Sequence, residues 1–139
     1  MGDVSITQMI RKNGIQDRVF LWPKISQPLL WYLYSKATIF ASPSIHDGTP
    51  NSMLEAMALG CFPVTGNIES MREWITDGEN GLMVNARNAK EMAGALIRVI
   101  NDPSLQENGA ITNKELIAER ANYKNNMSAV RDIYKQVVN

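Results

Sequence analysis

Residues 38–60 read Thr-Ile-Phe-Ala-Ser-Pro-Ser-Ile-His-Asp-Gly-Thr-Pro-Asn-Ser-Met-Leu-Glu-Ala-Met-Ala-Leu-Gly, and this stretch decides the fold class. Thr38-Ile39-Phe40-Ala41 is a short apolar run of the kind that forms a buried strand. Ser52 through Leu59 places apolar residues at helical spacing until Gly60 stops the helix. Strand, glycine-bearing turn and helix in succession are the unit of a parallel sheet covered by helices. The first turn of a helix leaves backbone N–H groups unpaired and carries a partial positive charge, so the start of this helix is an anion site that suits a diphosphate.

Two carboxylates bracket the turn. Asp47 and Glu55 are separated by seven residues, one after the strand and one in the helix, so both can point into the crevice outside the carboxyl ends of the strands, where open parallel sheets bind ligands. An ionised carboxylate accepts hydrogen bonds from vicinal hydroxyls more strongly than a neutral acceptor does, which makes this pair suited to a sugar ring or a ribose. Structural alternatives stand beside that reading. Ser52-x-x-Glu55 also spells a capping box, Asp47-Gly48 is a common turn pair, and His46 can be a turn residue.

Outward from this segment, three more short apolar runs read as strands: Val19-Phe20-Leu21-Trp22, Pro63-Val64-Thr65 and Gly81-Leu82-Met83-Val84. Helices are expected at about 4–13, 27–35, 52–59 and 68–76, then at about 88–101, 104–120 and 122–137. Asn88 with Glu91 reads as a capping box before Met92, Leu96, Val99 and Ile100, and Pro103 breaks the pattern. Leu116, Ile117, Val130, Ile133, Tyr134 and Val137 are expected on packed faces. The expected architecture is α/β, a Rossmann-like parallel sheet of about four strands flanked by helices, in a single domain over residues 1–139 with C-terminal helices at about 88–138. Trp22, Trp31, Tyr32, Tyr34 and Trp74 are mostly packing residues on this reading, with Trp22, at a strand end, placed nearest the site.

The 14 basic and 14 acidic side chains cancel, which argues against a nucleic-acid binder, since phosphate contacts need clustered Lys and Arg. Cys61 is the single cysteine and His46 the single histidine, so no intrachain disulfide and no metal site with Cys/His ligand spacing is expected, and a reducing, cytoplasmic location follows. No apolar run approaches the roughly 20 residues that cross a bilayer, and no signal-peptide core is seen at the N-terminus.

Phe40-Ala41-Ser42-Pro43-Ser44, Asp47-Gly48, Leu54-Glu55-Ala56-Met57-Ala58 with Gly60, Pro63-Val64, Glu73-Trp74-Ile75 and Asp77-Gly78-Glu79-Asn80-Gly81-Leu82 together resemble the retaining glycosyltransferases of family four, which have the GT-B fold. The likeness runs in unbroken order over about residues 14–102. It implies part of the C-terminal, nucleotide-sugar-binding domain of an enzyme of polysaccharide or glycoconjugate synthesis. The implied reaction transfers a sugar from a nucleoside diphosphate to a hydroxyl acceptor; no cofactor is expected, since the sequence shows no metal site and the nucleotide sugar is the donor substrate. By the resemblance Asp47 is the catalytic residue that contacts the donor sugar, and Glu55 binds the ribose hydroxyls. Where the family usually has Glu, Asp47 is one methylene shorter. His46, Gly48, Thr49, Pro50, Asn51, Ser52 and Met53 complete the implied donor site: Gly48 permits close approach, Pro50 has no N–H to give, and Ser52 and Met53 supply helix-terminal donors. Glu73 matches a recurrent family position, but Ser70-x-x-Glu73 is another capping box, and the structural reading is preferred there.

The same resemblance implies parts that this sequence does not contain: an N-terminal acceptor domain, two strands, and an Arg and Lys pair that neutralises the diphosphate. Lys24 aligns with a different loop and takes no such role. Without those two strands the 19–22 and 38–41 strands would each keep an unpaired edge. A compacted sheet, a homodimer or pairing with the missing part is therefore expected, the chain alone is expected to be inactive, and the full-length enzyme could lie at a membrane surface. Two other readings stand: a nucleotide-sugar epimerase of the same fold, and a non-catalytic or degenerate structural module.

Overall fold

The computed structural model describes residues 5–48 and 50–138. Strands β1 (Ile39–Ser42), β2 (Phe62–Gly66) and β3 (Leu82–Val84) form one parallel sheet in the order β1-β2-β3. Ile39 pairs with Phe62 and Val64 with Leu82. Parallel neighbours need a crossover rather than a hairpin. Helix α3 (Asn51–Ala58) supplies the first and the short α4 (Glu69–Arg72) lies in the second. Helices α1 (Ile6–Lys12) and α2 (Gln27–Lys36) precede the sheet, and α5 (Ala89–Asn101), α6 (Pro103–Arg120) and α7 (Tyr123–Val138) follow it.

Strand side chains alternate between two cores, as a pleated strand requires. Phe62, Val64 and Leu82 pack with Val99 of α5 on one face. On the other, Phe40 and Met83 meet Met53, Leu54 and Met57 of α3 and Met71 of α4. Helix α6 serves both, giving Leu105 to the first core and Leu116 and Ile117 to the second. Gly109 lets it come this close, since a Cβ there would stand 2.5 Å from the Phe62 ring.

Two buried asparagines bolt α6 to the strands. Asn113 donates from Nδ2 to the Asn80 carbonyl at 3.0 Å, and Asn80 donates from Nδ2 to Asn113 Oδ1 and to the Trp74 carbonyl, each at 2.9 Å. Asn80 Oδ1 accepts from the Thr76 N–H at 2.7 Å, so the turn before β3 has its buried polar groups paired.

The sheet departs from the expected four strands. Val19–Trp22 forms no strand, and Phe20, Leu21 and Trp22 are 74%, 57% and 56% exposed. Four apolar residues become a strand only beside another strand that takes up their N–H and C=O groups, and none lies beside them among the described residues. The remaining strands sit side by side without a gap. Helix α7 also differs: Val130, Ile133, Tyr134 and Val137 are 40–78% exposed rather than packed. Ile100 likewise faces solvent.

The chain around β1 and α3 explains why the helix stops where it does. Gly60, at φ +92°, sits just past α3 and lets the Cys61 N–H reach back to the Ala56 carbonyl at 2.9 Å and its own N–H reach Met57 at 3.0 Å, a Schellman closure. The chain then enters β2.

Candidate functional site

The loop after β1 and the loop after β2 leave the carboxyl ends of neighbouring strands, and two clefts open between them and the start of α3. One, of about 300 Å³, is lined by His46, Asp47 and Gly48 on one side and by Glu69, Ser70 and Glu73 on the other. The other, of about 330 Å³, is lined by Ser42, Ser44, Pro50, Asn51 and Ser52 and floored by Met53. Asp47 lines both and is half-buried. Each cleft is at the small end of ligand sites, large enough for a sugar ring or a phosphate pair.

Gly66 lets the two loops approach. A Cβ on this residue would overlap the Ser44 carbonyl oxygen and stand 2.9 Å from Ala86 Cβ, so the loop carrying Asp47 crosses the end of β2 only over bare backbone. Ser42 and Ser44 hydroxyls bond one another at 2.9 Å. The Thr65 hydroxyl, on the strand position paired with Ser42, is buried and has no partner among the described residues.

The start of α3 carries no side-chain cap. Pro50 is the N-cap residue of α3, no side chain caps it, and the first intrahelical bond runs from the Leu54 N–H to the Pro50 carbonyl at 3.0 Å. Ser52 therefore lies inside the first turn and the capping-box alternative for Ser52 and Glu55 is not formed. The cause is that Pro50 takes the cap position two residues earlier. Ser70 and Glu73 do not cap α4 either: Ile68 is the N-cap residue and Glu73 closes the C-terminal end. Glu73 also lines the first cleft. Asn88 caps α5, accepting from the Lys90 and Glu91 N–H groups at 3.2 Å, but the Glu91 carboxylate turns to the Asn85 N–H instead of closing the box.

Of the sequence-expected residues, His46, Asp47, Gly48, Pro50, Asn51, Ser52 and Met53 meet at the two clefts. Thr49 lies outside the described residues. Glu55 lines neither cleft. It faces α2, where Gln27 Nε2 donates to Glu55 Oε1 at 3.1 Å. Trp22 lines neither cleft. On the same side of α2, burial raises the Tyr34 phenol above the usual tyrosine range and the Glu55 charge adds to this, while a hydrogen bond with Ser52 opposes it. The Cys61 thiol is fully buried, donates to the Tyr34 carbonyl at 3.2 Å, and is pushed up by desolvation.

Sequence reasoning missed Glu69, Ser70 and Gly66. Their signal was positional: Gly66 ends β2, and Glu69 and Ser70 follow it as Pro43–Asp47 follow β1, and only the strand order makes those loops neighbours. It also missed Arg120, whose Nη1 donates to the Glu73 carbonyl at 2.8 Å while its guanidinium lies 4.5 Å from the Trp74 ring centre, tying the end of α6 to the wall of the first cleft. Chemically the site offers carboxylates for hydroxyl groups beside unpaired N–H groups for an anion. Among the described residues no three His, Cys, Asp or Glu side chains are grouped so as to hold a metal, and no helix is long and apolar enough to cross a membrane.

A family model described as glycosyl transferases group 1 matches residues 3–116. The chain is 30% identical over 89 residues to the capsular polysaccharide biosynthesis glycosyltransferase CapM of Staphylococcus aureus, covering 64% of this chain and 23% of that protein. It is 31% identical over 108 residues to the N,N'-diacetylbacillosaminyl-diphospho-undecaprenol alpha-1,3-N-acetylgalactosaminyltransferase of Campylobacter jejuni, covering 76% and 28% respectively. Among solved structures, sucrose-phosphate synthase from Thermosynechococcus elongatus superposes with a TM-score of 0.87 at 22% identity over 96% of this chain and 33% of that one. The chain thus spans about a quarter of the length of these curated relatives.

Proposed function

The chain belongs to the glycosyl transferases group 1 family and shares the α/β GT-B fold of its structural neighbours; from that premise we propose that it forms the donor-binding part of a retaining glycosyltransferase, which moves a sugar from a nucleoside diphosphate to a hydroxyl acceptor. The observation that carries this reading is Asp47, half-buried between two polar clefts, beside a helix start with no side-chain cap. In such a transfer the bond from the anomeric carbon to the diphosphate breaks and one to the acceptor oxygen forms. Negative charge gathers on the departing diphosphate and positive charge on the sugar, so preorganised N–H donors and a nearby carboxylate both act where charge develops. We assign the diphosphate to the first turn of α3, at Ser52 and Met53, and the sugar to the cleft of His46, Asp47, Gly48, Glu69 and Glu73. Glu55 is assigned to the ribose diol.

Pro50 gives no N–H but sets the entry of the helix, and Gly48 leaves space for the sugar. No metal or further cofactor is invoked. The relatives' additional length leaves room for an acceptor-binding domain, so turnover is proposed for a longer assembly in the cytoplasm or at its membrane surface, and donor binding for this chain. The outer edge of β1, which has no strand neighbour among the described residues, is where further strands or a second copy would join.

Titration calorimetry with UDP, GDP, ADP and their sugar conjugates tests the reading. One nucleotide should bind saturably. Asp47→Ala should weaken the sugar conjugate about tenfold while leaving the nucleotide alone unchanged, as expected for one charge-assisted hydrogen bond to the sugar. Absence of binding by every nucleotide would reject donor binding by this chain.

A further inference from the structure

Glu55 does not hang freely from α3. Gln27, the first residue of α2, donates from Nε2 to Glu55 Oε1 at 3.1 Å, across 28 positions of sequence. Glu55 Oε2 has no hydrogen bond among the described residues. Two features hold α2 in place. Tyr34, farther along α2, packs edge-on against Phe40 of β1 with ring centres 5.9 Å apart. Its carbonyl accepts from the Cys61 thiol just beyond α3 at 3.2 Å. Helix α2 is thereby tied to both the sheet and the end of α3, which sets the exposed Gln27 side chain beside Glu55.

The donor has a defined chemical role. A carboxylate offers two acceptor oxygens, and an amide N–H occupies one while leaving its partner for a ligand hydroxyl. A Glu side chain with three rotatable bonds otherwise loses much freedom on binding, and a pre-fixed one loses less. We propose that Gln27 is a positioning residue that orients Glu55 toward the ribose diol and so sets the preference for ribonucleotide over 2′-deoxyribonucleotide donors. This rests on the donor-binding reading above, with Glu55 at the ribose.

The test uses whichever of UDP, GDP and ADP binds the chain, together with its 2′-deoxy analogue, measured by calorimetry on the wild type, Gln27→Ala, Gln27→Glu and Glu55→Gln. The wild type should favour the ribonucleotide by about tenfold, the scale of one hydrogen bond to a charged group. Gln27→Ala should cut that preference about threefold or more by weakening ribonucleotide binding, with the deoxy analogue unchanged. Gln27→Glu keeps the shape but sets a second carboxylate against Glu55, and should lose as much or more. It also carries the test if the alanine variant does not fold. In the background of Glu55→Gln, Gln27→Ala should have no further effect on the preference.

Full preference in both Gln27 variants, or equal weakening of both nucleotides, overturns the proposal while donor binding stands. A wild type that binds without preferring the ribonucleotide overturns it too. A wild type that binds no nucleotide rejects the donor-binding reading, and the role of Gln27 with it.

Discussion

At Gly66 a single added methyl group would collide with the loop that carries Asp47. The position is fully buried at the end of β2, and any Cβ there overlaps the Ser44 carbonyl on the loop that carries Asp47. Gly66→Ala is expected to lower stability by about 1–3 kcal/mol, the usual cost of overpacking, and to displace the loop from the clefts. Thermal unfolding reads the first effect and nucleotide titration the second; unchanged binding with lowered stability would show that the loop relaxes without moving Asp47. Residue identity in the sequence carried part of this information. Gly60 was legible as a helix stop because a terminal glycine at positive φ is a local requirement, whereas Gly66 answers to a carbonyl 22 positions away and has no local signature. Resemblance singled out Glu55, but its partner Gln27 had no signal, since nothing in either segment announces a contact across α2 and α3.

Element boundaries follow their caps. Asp102 starts α6 by accepting from the Leu105 N–H at 3.0 Å, and also accepts from the Ser104 hydroxyl at 2.6 Å. The Ser104 hydroxyl, followed by the Leu105 N–H, holds its carboxyl below the usual aspartate range. A depressed value means that the folded state favours the charged form, so this contribution is present at pH above the ordinary aspartate pKa and is lost as pH falls through the lower, folded value. Asp102→Asn should retain the cap but lose that part of the acid dependence. Unfolding curves of both proteins at neutral pH and below about pH 4 check this, and identical pH profiles would reject it. The Ser-x-x-Glu pattern was an unreliable guide at this scale. Pro50 and Ile68 take the cap positions before Ser52 and Ser70, and where Asn88 does cap α5, Glu91 bonds Asn85 instead of its own N-cap residue.

Over the whole molecule, stability is concentrated between α3 and α6. The two cores, the buried Asn80 and Asn113 pair and the Arg120 contact all lie within residues 39–120. Helix α7 carries an apolar stripe of Tyr123, Met127, Val130, Tyr134 and Val137, every member at least 40% exposed. Removing residues 123–139 is therefore expected to cost less than about 1 kcal/mol, because little apolar area leaves a packed environment. Comparison of melting for the full and shortened chains reads this directly, and a loss of several kcal/mol would mean that α7 is packed in solution. The sequence by itself determined the α/β class, the succession of helices, the three parallel strands and the position of the Asp47 loop between β1 and α3. These follow from local periodicity and turn chemistry, which act over a few residues. Only the tertiary structure decided that Val19–Trp22 is no strand, that Glu69 and Glu73 face Asp47, that Glu55 turns to Gln27, and that α7 stands without a packed face. Each of those outcomes depends on which segments become neighbours, and a strand, a cleft wall or a packed helix exists only when its partner is beside it.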